Sequence, residues 1–168
     1  MAVEHVRMEG LEGVLKTLKE LPSEMVSKRG GPVRTSLREA SLLLVNQAKA
    51  NVDWIVATPN KGGYPTKSLG LLRDNIITAR DSKMEKGERY YVRIRRGLRY
   101  PPERGYNVSV FFVGRMLERG TEHRRPMPWL RPAFDAKKHE VLDLFTKRIR
   151  SRLDRLVKRV ARKNKVKF

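Results

Sequence analysis

Cysteine is absent from this chain, which excludes disulfides, thiolate nucleophiles and cysteine-ligated zinc together. Long apolar runs are missing too: the longest have four residues, as at Leu42–Val45, whereas a membrane-spanning helix needs about 20. Glu4, His5, Arg7 and Glu9 break up the apolar residues near the first methionine, so no secretory signal is expected there and no membrane partner is expected anywhere. Acidic residues are also scarce. There are 18 against 38 lysines and arginines, a net charge of +20 and a pI near 10.8. Solubility alone does not require that excess, so the balance points to an anionic partner, whether nucleic acid, acidic protein or anionic lipid.

Histidine is thin as well. His5, His123 and His139 lack the spacing of a metal site or of a partnered nucleophile. Lys67-Ser68 after Gly63 superficially suggests a phosphate loop, but Thr66 stands where the glycine before the lysine belongs, so backbone amides could not close around a phosphate. Glu118, His123 and Asp135 could form a hydrolytic site on paper, yet nothing in the sequence brings them together. A nuclease is disfavoured because the carboxylates lack metal-binding spacing.

What is present is the pattern of one α+β domain. Its length of 168 residues and 39% hydrophobic content allow a modest core. Leu11, Val14, Leu15, Leu18 and Leu21 recur at helical spacing before Pro22 and predict an amino-terminal helix. Pro32 opens a second helix over about 32–53, with Val33, Leu37, Ala40, Leu44, Ala48 and Val52 on one face. Residues 55–70 are dense in turn formers and read as an exposed loop. Three strands are expected, at about 71–80, around Tyr90, Val92 and Ile94, and through Tyr106, Val108, Val110 and Phe112. Their short connections predict a small antiparallel sheet of three to four strands, covered by the second helix. A long carboxyl-terminal helix follows, carrying Leu142, Phe145, Ile149, Leu153, Leu156 and Val160 at steps of three and four.

Two surface features remain. Tyr90, Tyr91, Phe111 and Phe112 on neighbouring strands could stack bases, although the glycine-aromatic motif of RNA-recognition sheets is missing and core or interface packing is the commoner use of such residues. Residues 147–168 hold five lysines and six arginines against Asp154 alone, half of the net charge. Solvation alone would be served equally well by interspersed acids, and phosphate binding needs only clustered cations. Arg155, Lys158, Arg159, Arg162, Lys163, Lys165 and Lys167 are therefore the candidate DNA-facing residues, the last of them in a basic tail at about 159–168.

The order of motifs resembles that of the head–tail joining and tail-completion (neck) proteins of tailed bacteriophages. Gly10-Leu11-x-x-Val14-Leu15-x-x-Leu18, Gln47-Ala48-Lys49-Ala50 and Gly70-Leu71-Leu72-Arg73-Asp74-Asn75-Ile76 come first. Leu117-Glu118-Arg119-Gly120-Thr121 and Met127-Pro128-Trp129-Leu130-Arg131-Pro132-Ala133-Phe134 follow, then the long helix. The likeness spans most of residues 8–158. It departs from the family in the length of the 55–70 loop and in the basic tail beyond residue 158. It implies a non-enzymatic virion protein without a cofactor, assembled in the host bacterial cytoplasm as a homo-oligomeric ring between capsid connector and tail tube or terminator, with genomic DNA passing through. It also implies an interface around Leu117, Glu118, Gly120, Thr121, Trp129 and Arg131. A non-specific nucleic-acid-binding module of a host or mobile element would carry the same charge without virion assembly.

Overall fold

The computed structural model describes residues 31–57, 69–84, 87–101 and 107–165, with Lys16 besides, and of the side chains beyond Arg162 it describes none. The expected amino-terminal helix and most of the 55–70 loop lie outside that set, as does Lys167. Within it the chain is α+β: α1 (Pro32–Ala57), α2 (Leu69–Asp74), β1 (Ile76–Arg80), β2 (Tyr90–Ile94), α3 (Val110–Arg119) and α4 (Leu130–Lys165).

Helix α1 begins at Pro32, whose fixed φ suits a first helical position, and continues four residues beyond the expected end. Ser36, Ala40, Ser41, Val45, Ala48, Val52 and Ile55 form its buried face at steps of one, three and four. Small residues at 36, 40, 41 and 48 let neighbouring elements approach closely. The sheet lies on one side, where Ser41 and Thr78 share a 2.6 Å hydroxyl–hydroxyl hydrogen bond. On another side α4 runs antiparallel to α1: Asn51 Nδ2 donates to Trp129 O at 2.9 Å, and Arg152 Nη1 donates to Ser36 Oγ at 2.8 Å.

Strands β1 and β2 pair antiparallel, with Ile76 opposite Ile94 and Arg80 opposite Tyr90. Ile76 and Ile94 enter the core, as period-two alternation requires. The first expected strand is half helix: Leu69–Asp74 makes a short turn that buries Leu72, and only from Ile76 is the chain extended. The third expected strand is corrected more sharply. Residues 98–100 pair with 108–110 only locally, through Tyr100 N–H to Val108 O and Val110 N–H to Leu98 O, both 3.0 Å. Helix α3 then starts at Val110, because the Ser109 hydroxyl accepts the Phe112 N–H at 3.1 Å and caps it. Val110 and Phe112 fit alternation, but Val110, Gly114 and Leu117 are the residues buried, at helical spacing. Two strands, not three to four, are therefore present among the described residues.

The main core joins Val45, Ala48, Val52 and Ile55 of α1 to Leu72, Ile76, Ile94, Tyr100, Val110, Leu117, Trp129 and Ala133. A smaller cluster of Ile149 and Leu153 packs with Val33 and Phe145 at the other end of α1. Helix α4 is about 54 Å long against about 39 Å for α1. With Arg152 already opposite Ser36, the last two to three turns of α4 run past the start of α1. Val157 is accordingly exposed there.

Candidate functional site

The Leu117–Thr121 and Met127–Phe134 motifs meet in one clasp. Gly120 ends α3 with φ +75°, a left-handed value that favours glycine, and its N–H bonds Met116 O at 2.8 Å. A Cβ there would stand 2.8 Å from Arg124 O and 2.9 Å from Pro126 N, so only glycine lets the following turn close. That turn is held by reciprocal bonds between Thr121 and Arg124, and Met127 N–H returns to Leu117 O at 2.8 Å. The chain thus reverses, and Trp129 arrives over α3.

Trp129 is 3% exposed, and its Nε1–H donates to Gly114 O at 2.9 Å. Gly114 is needed for packing: a Cβ there would collide with Ile94 Cδ1 and lie 3.1 Å from Leu72 Cδ1 and 3.5 Å from the indole. The Glu118 carboxylate completes the clasp. Oε2 accepts N–H from Trp129 at 2.9 Å and Leu130 at 2.8 Å, and Oε1 accepts N–H from Arg131 at 2.9 Å. A helix start leaves its first N–H groups without partners, and here one carboxylate takes two of them, while Pro132 has none to offer. The negative charge also sits at the positive end of the α4 dipole.

Of the residues expected at an interface, Leu117 and Trp129 are therefore in the core and Glu118 is engaged within the chain, whereas Thr121 and Arg131 expose their side chains. Of the residues that could form a hydrolytic site, Glu118 is committed to capping α4, and His123 and Asp135 are exposed. Among the described residues no group of three His, Asp or Glu could hold a metal ion, and no described helix is long and apolar enough to cross a membrane. Tyr90 and Tyr91 are on β2, but Phe111 and Phe112 are on α3, so the four aromatics do not share neighbouring strands.

Exposed apolar side chains are found elsewhere. Phe111 is 59% and Phe112 52% exposed at the start of α3, and Phe134 is 54% exposed in the first turns of α4. Helical periodicity across 110–117 was the signal that could have separated these phenylalanines from the core.

On the overhanging end of α4, Arg155, Lys158, Arg159 and Arg162 are all exposed. Arg152, Arg155 and Arg159 border an open groove of about 220 Å³ beside Pro32 and Leu156. Arg152 is committed to Ser36 and Glu39, and Arg155 leans on Ser151 through bonds of 3.2 and 3.1 Å. The side chains of Lys163, Lys165 and Lys167 lie outside the described residues. A second basic cluster, Arg93, Arg95, Arg96 and Arg99 beside the sheet, was missed by the sequence reading, although four arginines in seven residues were there to be counted.

Comparison with known proteins found no match to this chain among family models, curated proteins or solved structures.

Proposed function

We propose that this chain is a structural virion protein at the head–tail junction of a long-tailed phage, forming a homo-oligomeric ring that completes the tail or joins it to the capsid connector. The observation that carries the reading is the clasp. The acidic-x-Gly-Thr turn and the Pro-Trp-Leu-Arg-Pro-Ala entry, ten residues apart in sequence, are two halves of one hydrogen-bonded unit that fixes the start of the long helix. The two motifs are thus parts of a single structural device, and their ordered combination supports the neck reading.

Exposed phenylalanines on α3 and α4 supply apolar surface for contacts between copies or with connector and tail-tube proteins. Heterologous contacts between small subunits close into rings. In such a ring the basic end of α4 faces the DNA path, lowering repulsion between wall and phosphate. The role is non-enzymatic.

A second reading, a non-specific nucleic-acid-binding module of a host or mobile element, is favoured by the same exposed cations, which need no assembly to act. Mass measurement and negative-stain imaging of the purified protein, with and without a candidate tail-tube protein, separate the two. Rings or a defined complex support the neck reading. A monomer that ignores the tail proteins but binds duplex in a salt-sensitive way supports the module.

A further inference from the structure

The segment Arg93-Ile94-Arg95-Arg96-Gly97-Leu98-Arg99 holds four arginines and no acid. Its backbone is pinned on both sides. Arg95 N–H bonds Asn75 O at 2.9 Å, Gly97 turns the chain at φ +78°, and Leu98 and Arg99 pair with Val110 and Ser109. Ile94 and Tyr100 anchor it in the core, with Leu98 packed against them. The apolar residues turn inward, and Arg95, Arg96 and Arg99 are left exposed on a rigid turn.

Six arginines elsewhere in the fold are matched to acids. Arg34 and Arg80 share Glu88, Arg73 has Asp53 and Asp74, Arg89 has Asp81, and Arg148 and Arg152 share Glu39. No carboxylate among the described residues pairs with the four of the turn. Arg99 is oriented by Asn107, whose side-chain oxygen accepts its Nη1–H at 3.1 Å, and this bond leaves its charge intact. The turn is also distinct from the basic end of α4. The sheet meets α1 through Ser41 and Thr78 and runs from the Arg34–Glu88 pair towards the second half of α1, while Arg152 meets α1 at Ser36. The two basic surfaces lie towards opposite ends of α1.

We propose that the Arg93–Arg99 turn is a nucleic-acid contact of its own, holding the phosphodiester backbone without reading sequence. Guanidinium forks match phosphate oxygens in pairs. Within the turn itself Ile94 and Leu98 face inward, so its exposed surface is made by guanidinium groups, which suit a polyanion. The inference does not rest on virion assembly and holds equally for a free binding module.

The test uses the full chain and a short duplex of arbitrary sequence, with binding followed by fluorescence anisotropy over a salt series. Arg95→Gln with Arg96→Gln should lower affinity and flatten the dependence of log K on log salt by about 0.9 for each phosphate no longer neutralised, close to two units for the pair. Arg115→Gln with Arg119→Gln, which removes the same charge from the exposed side of α3, should leave the slope within a few tenths of the parent. All these side chains are exposed, so unchanged melting temperatures are expected and verify folding. Equal losses from the two pairs would mean that only net charge matters and would overturn the site. Displacement of the duplex by polyglutamate at equal charge concentration would overturn it in favour of an acidic protein partner.

Discussion

Trp129 is fixed from three directions: its indole N–H by Gly114, its backbone N–H by Glu118 and its carbonyl by Asn51. Trp129→Ala removes a fully packed ring and should cost about 3 kcal/mol or more, measured by denaturant unfolding. Glu118→Ala strips the cap from α4 and should cost roughly 1–2 kcal/mol, because the N–H groups of Leu130 and Arg131 lose their partner. Glu118→Gln should recover part of that loss, since an amide oxygen still accepts. Glu88 gives a second residue-scale expectation. Its bonds to Arg80 and then Arg34, working against burial, hold its carboxyl below the usual carboxylate range. A group whose folded pKa is depressed stabilises the fold above its unfolded pKa and loses that contribution as pH falls through the folded value. Thermal melts should therefore fall as pH drops below about 4.5, and Glu88→Gln should be less stable at neutral pH but lose less on acidification. Tyr100 works in the opposite direction: burial pushes its phenol up to about 12, so its contribution is intact at neutral pH and fades as pH rises from 10 through 12.

Helices α1 and α4 set the positions of both candidate surfaces. Helix α1 was legible in the sequence because its apolar period is long and Pro32 marks its start, and α4 for the same reason of period. The third strand was misread because Val108, Val110 and Phe112 satisfy alternation over too few residues to exclude a helix, and the deciding signal is the Ser109 cap. The clasp was legible only in part. Gly120 and Pro132 could be flagged for their backbone properties, but the partner of Glu118 lies 11 to 13 residues along the chain, and no local pattern encodes that return. The overhang of α4 follows from its length alone. Deleting residues 155–168 removes the overhang and the exposed cations while leaving the Ile149–Leu153 cluster and the sheet in place. The truncated protein should fold, and its binding to duplex should show a flatter salt dependence than the full chain. An unchanged slope would show that this end of α4 is only solvated.

For the whole molecule, a net charge of +20 opposes association between copies unless anions or local contacts offset it. The exposed Phe111, Phe112 and Phe134 leave apolar surface open to such contacts, and the side chains of Thr121 and Arg131 are exposed near the clasp. The proposed neck role requires contact with other copies, with a tail or connector partner, and with the genome. The central claim is therefore assembly, and it is tested most directly by the mass of the purified full-length protein in solution. Native mass spectrometry or light scattering, alone and mixed with a tail-tube or connector protein, should give a closed oligomer of defined copy number or a complex containing one. A strict monomer under every one of these conditions would contradict the account.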